Sequence, residues 1–156
     1  ARVLQSGYLL PALRGMRGAY GAQSVVENDH ISVGASGAQS IDTTYEVLAG
    51  AGAYLRNLEM TQEELEAVIV AAVHTFDRDN GAENYYALDA DMNGMSTEWL
   101  IAHREEMLAT TVEDVKGFAD FLEEMIAQQR IFAYTNEAGA ETTPAFERNV
   151  CSGDGE

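Results

Sequence analysis

Residues 20–37 have the sequence YGAQSVVENDHISVGASG, and this stretch makes a purely helical chain improbable. Small and β-branched residues lie on both sides of Asn28-Asp29, a pair that is typical of tight turns. We therefore expect one strand from Tyr20 to Glu27 and a second from His30 to Gly37. The second strand alternates in polarity, with Ile31, Val33 and Ala35 on one face and His30, Ser32 and Ser36 on the other.

Helical spacing of apolar residues dominates the rest of the chain. It predicts a helix over 2–13, although this helix contains Pro11. A second helix is predicted to be capped by Asp42 and to end near Arg56. The small residues at 49–53 within it favour close packing against a neighbouring helix.

Four more helices are predicted between residues 61 and 128. Two of them begin with capping boxes, formed by Thr61 with Glu64 and by Thr111 with Asp114. The first capping box precedes a core-facing stripe of Leu65, Val68, Ile69, Ala72, Val73 and Phe76. The other two helices are expected near 83–92 and after Ser96.

The segment Arg130–Thr135 is predicted to be a closing strand, so the order is α-β-β, four helices and β. This order is typical of an α+β fold, with a mostly antiparallel sheet covered by helices. We expect one domain over 1–135 and a tail over 136–156. Three strands are few for so many helices, so a further strand before Ala1 is expected. An unpaired sheet edge would then favour self-association.

The charge excludes several classes of partner. The 156 residues carry 26 acidic and 9 basic side chains, a formal charge of −17, which repels nucleic-acid phosphates. No apolar run approaches the length of about 18 residues that a transmembrane helix needs. We therefore expect a soluble, cytoplasmic protein without nucleic-acid or membrane partners. The single cysteine, Cys151, fits a reducing compartment and excludes an internal disulfide.

Metal-ligating patterns are weak. His103-Arg-Glu-Glu-Met107 comes within one residue of the inverted zinc motif His-x-x-Glu-His. A methionine thioether at the last position does not suit zinc, so we expect His103 to be a half-buried helix residue and no metal to bind this chain.

The glycine-bearing stretch Arg14-Gly-Met-Arg-Gly-Ala-Tyr-Gly21 is the strongest functional candidate. Arginine offers a rigid fork of donors, tyrosine a phenolic donor, and glycine allows the backbone to approach a ligand. Such a loop could hold a peptide backbone and stabilise an oxyanion. The alternative is that the glycines only end the helix while Tyr20 packs as a strand residue.

This loop, the following hairpin, residues 54–65 and residues 104–120 resemble the insulinase/pitrilysin metallopeptidases, and in particular the presequence-protease branch. The resemblance covers residues 2–135 and is to the last of four homologous α+β domains. It implies that Tyr20 faces the scissile carbonyl as a catalytic residue and that Arg14 holds the substrate and the tyrosine. Gly18 and Gly21 match the flanking glycines of that loop in the family, and Arg17 stands where relatives often carry a small residue. We expect all three to belong to the substrate-binding loop.

The resemblance also implies a zinc cofactor in the longer protein, held by an N-terminal half that closes over this domain. The expected function is therefore substrate binding in a zinc metalloendopeptidase of short or unfolded peptides, with the isolated chain inactive. One alternative is a non-catalytic scaffold or interaction subunit of the same fold. Another is a free-standing ligand-binding module.

Overall fold

The computed structural model describes residues 1–26, 30–79, 96–128 and 130–136. They form an α+β fold, as the sequence predicts. The elements, in chain order, are α1 (Arg2–Leu4), a π-helix (Gln5–Gly15), β1 (Gly21–Val26), β2 (Ile31–Ser36), α2 (Ile41–Ala49), α3 (Ala51–Arg56), α4 (Gln62–Asp79), α5 (Thr97–Ala109) and α6 (Val112–Ala127).

The predicted N-terminal helix is present, but most of it is wider than an α-helix. After the single α-turn of α1, the chain continues as the π-helix, in which the Met16 N–H donates to the Pro11 carbonyl five residues earlier. In an α-helix, the ring of Pro11 would clash with the carbonyl four residues before it. The wider turn moves that carbonyl, so a proline is tolerated in mid-helix.

The hairpin is confirmed as an antiparallel pair. Its register runs from Gly21 opposite Ser36 to Val26 opposite Ile31. Ala22 and Ser24 are buried, and their partners Ala35 and Val33 pack against the same core. The predicted turn at 28–29 lies outside the described residues.

The second predicted helix begins and ends differently from the expectation. Ser40, not Asp42, is its N-cap: Ser40 has extended backbone angles, and its hydroxyl accepts from the Thr43 N–H. The helix also stops at Gly50 and resumes as α3. The Tyr8 hydroxyl fills the space beside Gly50, where it donates to the Val47 carbonyl at 2.9 Å.

Three other helix starts match the sequence prediction. Thr61 and Glu64 exchange hydrogen bonds, and so do Thr111 and Asp114. Ser96 caps α5 through the Trp99 N–H. The stripe of α4 faces the core, with Leu65, Ile69 and Val73 buried. The predicted helix over 83–92 lies outside the described residues.

The small-residue run packs closely, as expected. Gly52 is buried in α3 against α6, where an added Cβ would lie 3.0 Å from the Ala119 carbonyl oxygen. Leu122 of α6 is fully buried in the same core. One core therefore joins two parts of the fold. The first is the π-helix with the hairpin, and the second is the α3–α6 helix pair.

The prediction of a closing strand at Arg130–Thr135 is wrong. These residues have no regular structure, and the side chains of Phe132 and Tyr134 are fully exposed. A strand forms only when a neighbouring edge supplies hydrogen bonds, and the described part of the chain pairs only β1 with β2. Each strand therefore has one edge without a neighbour in the described sheet. Among the described helices, none is both long and apolar enough to cross a membrane.

Candidate functional site

The stretch from Arg14 to Tyr20, called the loop below, begins in helical structure and leads into β1. The π-helix includes Arg14 and Gly15, and Met16 and Arg17 are still helical, so the predicted helix end at residue 13 is too early. Leu13 and Ala19 are buried at its two ends, and the Ala19 N–H donates to the Leu13 carbonyl at 3.0 Å. Residues 14–18 between them are exposed. The core therefore fixes both ends of the loop while its side chains stay available to a ligand.

Gly18 reverses the chain within this loop. Its φ of +68° lies in the left-handed region, which side chains with a Cβ rarely adopt. A Cβ at this position would also lie 2.9 Å from the Gln39 Nε2. Gly18 is therefore required for the loop conformation, in addition to the close backbone approach that the sequence suggests.

Tyr20 projects from the entrance of the hairpin. Its N–H donates to the Ser36 carbonyl at 2.9 Å, whereas its side chain is 83% exposed. The alternative interpretation, in which Tyr20 packs as a strand residue, is therefore wrong for the side chain. Gly21, the next residue, pairs with Ser36, and an added Cβ would lie 3.2 Å from the Ser36 Oγ.

Gly37 is a functional candidate that sequence reasoning missed. Its φ is +60°, and an added Cβ would lie 2.8 Å from the Tyr20 Cβ. Any larger residue would push on Tyr20 directly. Only the pairing of the two strands brings these residues together, so the sequence alone gives no signal beyond a glycine at the strand end.

The two arginines of the loop differ. The Arg17 guanidinium donates to the Ala12 carbonyl at 3.1 Å and so satisfies a backbone group near the end of the helix. Arg14 is exposed and makes no hydrogen bond or ion pair to any described residue. The same holds for the Tyr20 hydroxyl. Toward the described part of the chain, the loop thus presents an unpaired cationic fork and an unpaired phenol.

Residues 1–136 match the PreP C-terminal domain family. The chain belongs to this family. The match confirms the resemblance to a presequence-protease-like C-terminal domain. Over 153 residues the chain is 27% identical to Protein HypA of Clostridium perfringens (strain 13 / Type A). That alignment covers 96% of the chain and 16% of the relative, so the chain spans about a sixth of the relative's length.

The described part of this PreP C-terminal domain does not fit a zinc site. It contains no group of three or more His, Cys, Asp or Glu side chains that could hold a metal. The His103 ring stacks on Trp99 with centroids 4.9 Å apart and lies 5.5 Å from the Phe76 ring. These ring contacts give His103 a packing role, and its position is half-buried, as expected. Its Nδ1 lies 3.8 Å from a Glu106 oxygen.

Behind the loop, two tyrosines connect the π-helix of the domain to α2 and α3. The rings of Tyr8 and Tyr54 stack with centroids 4.8 Å apart. Burial raises the pKa of the Tyr8 hydroxyl, and the nearby positive charge of Arg17 opposes that rise. Both tyrosines stay neutral at pH 7 and support the π-helix, whose last turn carries Arg14.

Proposed function

We propose that this PreP C-terminal domain is the substrate-binding domain of a zinc metalloendopeptidase that degrades short or unfolded peptides. One observation carries the proposal. Arg14, at the end of the π-helix, and Tyr20, at the start of the hairpin, have no partner among the described residues. The backbone around them is nevertheless fixed by buried neighbours and by two glycines with positive φ. A loop that is rigid in its backbone and free in its donors is suited to binding an external acceptor.

Each side chain has a distinct role in this proposal. The Tyr20 hydroxyl donates a hydrogen bond to the scissile carbonyl oxygen, on which negative charge develops during attack. The Arg14 guanidinium holds peptide carbonyl oxygens near the tyrosine through its fork of donors. Gly18 and Gly21 carry no side chain, so an extended peptide can approach the backbone of the loop closely.

The metal-dependent part of the reaction is assigned to the zinc-bearing N-terminal half of the longer protein. Zinc there would supply an activated water at neutral pH. The residues described in this chain do not fit that metal, so this domain contributes only binding and charge stabilisation. We accordingly expect the isolated chain to be inactive.

The test is a quenched-fluorescent peptide assay on the full-length protein, with and without a zinc chelator, beside this chain alone. We expect cleavage by the full-length protein that the chelator abolishes. Tyr20→Phe should then lower kcat by about 100- to 1,000-fold, the usual cost of removing one oxyanion donor. Tyr134→Phe is the matched control, because it removes a hydroxyl from another exposed tyrosine.

Two results would contradict the proposal. Unchanged turnover in Tyr20→Phe would remove the catalytic role of the tyrosine. If the full-length protein cleaves no peptide with zinc present, the scaffold alternative is favoured, in which Arg14 and Tyr20 form at most a binding surface.

We also propose that the open edges of the hairpin associate with a second copy of this chain when it is isolated. In the described residues, each strand has one edge without a strand partner, although the Gln5 Nε2 already donates to the Ala22 carbonyl of β1. An edge without a strand partner favours pairing with another strand. Sedimentation velocity at several protein concentrations is the measurement. A folded monomer at every concentration would exclude this association.

A further inference from the structure

A small cavity lies beside Tyr20, between the end of the π-helix and the segment that leads into α2. Its volume is about 220 Å³, and its wall includes Leu13, Arg17, Ala19 and Gln39. Pockets for drug-sized molecules usually have volumes of about 300–1,000 Å³. This cavity is therefore suited to a single side chain or chain end.

The charge of the cavity wall is opposite to that of the chain. The chain has 26 acidic and 9 basic residues, yet the described residues that line the cavity include Arg17 and no Asp or Glu. Among the described residues, the Ala12 carbonyl is the one acceptor for Arg17, and it binds Nη1. The remaining guanidinium N–H groups can donate to a ligand.

The threonine hydroxyl groups at the α2 side of the cavity already donate to nearby oxygens. The Ser40 Oγ accepts from the N–H and the Oγ1 of Thr43, and the Thr44 Oγ1 donates to the Ser40 carbonyl at 2.7 Å. Toward the described residues, the donors that remain at the wall are therefore the Arg17 fork, the Gln39 amide and the hydrogen of the Ser40 hydroxyl. A cation with a neighbouring amide donor favours a carboxylate over a neutral group.

The position of the cavity relates it to the proposed peptide site. Ala19 precedes Tyr20, and Ala38 follows the Gly37 that contacts Tyr20; both alanines line the cavity. A peptide whose scissile carbonyl lies at Tyr20 would place a neighbouring group at the cavity.

We propose that this cavity is a subsite for a carboxylate of the peptide substrate and that Arg17 determines its specificity. The proposal rests on the proposed function, because it needs a peptide bound at Tyr20. The carboxylate is supplied either by an Asp or Glu side chain or by the C-terminus of the peptide. Because Arg17 is exposed, we expect a preference of about fivefold, at the upper end for solvated ion pairs.

The experiment uses the full-length protein and two matched sets of peptides. In one set, Glu replaces Gln at each position near the scissile bond in turn; in the other, a free C-terminus replaces an amide. The preference is measured both as a ratio of kcat/KM and as a ratio of Kd by fluorescence anisotropy. Arg17→Gln should reduce both ratios to about one, and Arg17→Lys should give an intermediate value.

Arg2→Gln is the control, because it removes the same charge from a residue that hydrogen-bonds to Thr75 of α4 instead of lining this cavity.

A preference confined to one peptide set identifies the source of the carboxylate. The inference would be overturned if kcat/KM and Kd were equal for both members of every peptide pair. It would also be overturned if the preference persisted in Arg17→Gln. If the full-length protein cleaves nothing, the proposed function fails, while the Kd ratios still decide whether Arg17 selects a carboxylate.

Discussion

The α3–α6 contact and the Arg14–Tyr20 loop differ in whether their polar side chains have partners within the described chain. At the helix contact, the Arg56 guanidinium binds Asp120 at 2.8 Å and Glu123 at 2.5 Å. These two hydrogen bonds raise the pKa of Arg56 above its already high value. In the loop, Arg14 and the Tyr20 hydroxyl have no such partners among the described residues.

The two regions also use glycine differently. Gly52 allows α3 to approach the backbone of α6, and its effect is therefore on packing. Gly18 and Gly37 have positive φ values and set the course of the chain on either side of Tyr20. From this comparison we expect stability to depend mainly on the helix contact, and the proposed binding role to depend on the exposed donors of the loop.

The largest expected effect on stability comes from the helix contact. Leu122→Ala should lower the free energy of unfolding by about 2–5 kcal/mol, because Leu122 is 1% exposed and a cavity would remain. Tyr20→Phe should change it by no more than about 0.5 kcal/mol, since that side chain is exposed. Urea denaturation followed by circular dichroism measures both. Equal losses in the two variants would remove the distinction between the regions.

An intermediate effect is expected where the loop depends on the hairpin. Gly37→Ala should lower the free energy of unfolding by about 1–2 kcal/mol, the cost of a left-handed residue with a Cβ. It should also lower cleavage by the full-length protein, because the added methyl displaces Tyr20.

Gly34→Ala is the control for that variant. Gly34 lies in β2 with a normal φ, and nothing lies within 4 Å of an added Cβ. If both variants cleave equally well, Gly37 does not position Tyr20. A loss of cleavage in Gly37→Ala at temperatures where the protein stays folded would assign the effect to geometry.

Local sequence patterns predicted the features that depend on a few neighbouring residues. The capping boxes at Thr61 and Thr111 were predictable, because each is a hydrogen-bond exchange within one turn. Ser40 and Asp42 are both good capping residues two positions apart, and only the backbone angles distinguish them. The strand at 130–135 was wrong because strand formation depends on a distant partner edge.

The candidate site follows the same rule. The composition of the loop and its family resemblance marked Arg14 and Tyr20 as candidates, and these residues lie close together in sequence. Gly37, Gln39 and Tyr8 are brought to the loop by strand pairing and helix packing, so no spacing in the sequence marks them. The wide turn of the π-helix around Pro11 also depends on three-dimensional packing.

The smallest expected effect concerns the acidic groups that hold the helix starts. Hydrogen bonds from the Thr111 hydroxyl and N–H lower the pKa of Asp114. A carboxylate with a lowered pKa stabilises the fold above its unfolded pKa, and this contribution is lost as the pH falls through the folded value. Tm should therefore fall as the pH drops below about 4. Asp114→Asn should make that fall shallower, whereas Glu113→Gln, an exposed neighbour outside the capping box, should not. An identical acid profile in Asp114→Asn and the unmodified chain would show that the cap does not contribute to acid sensitivity.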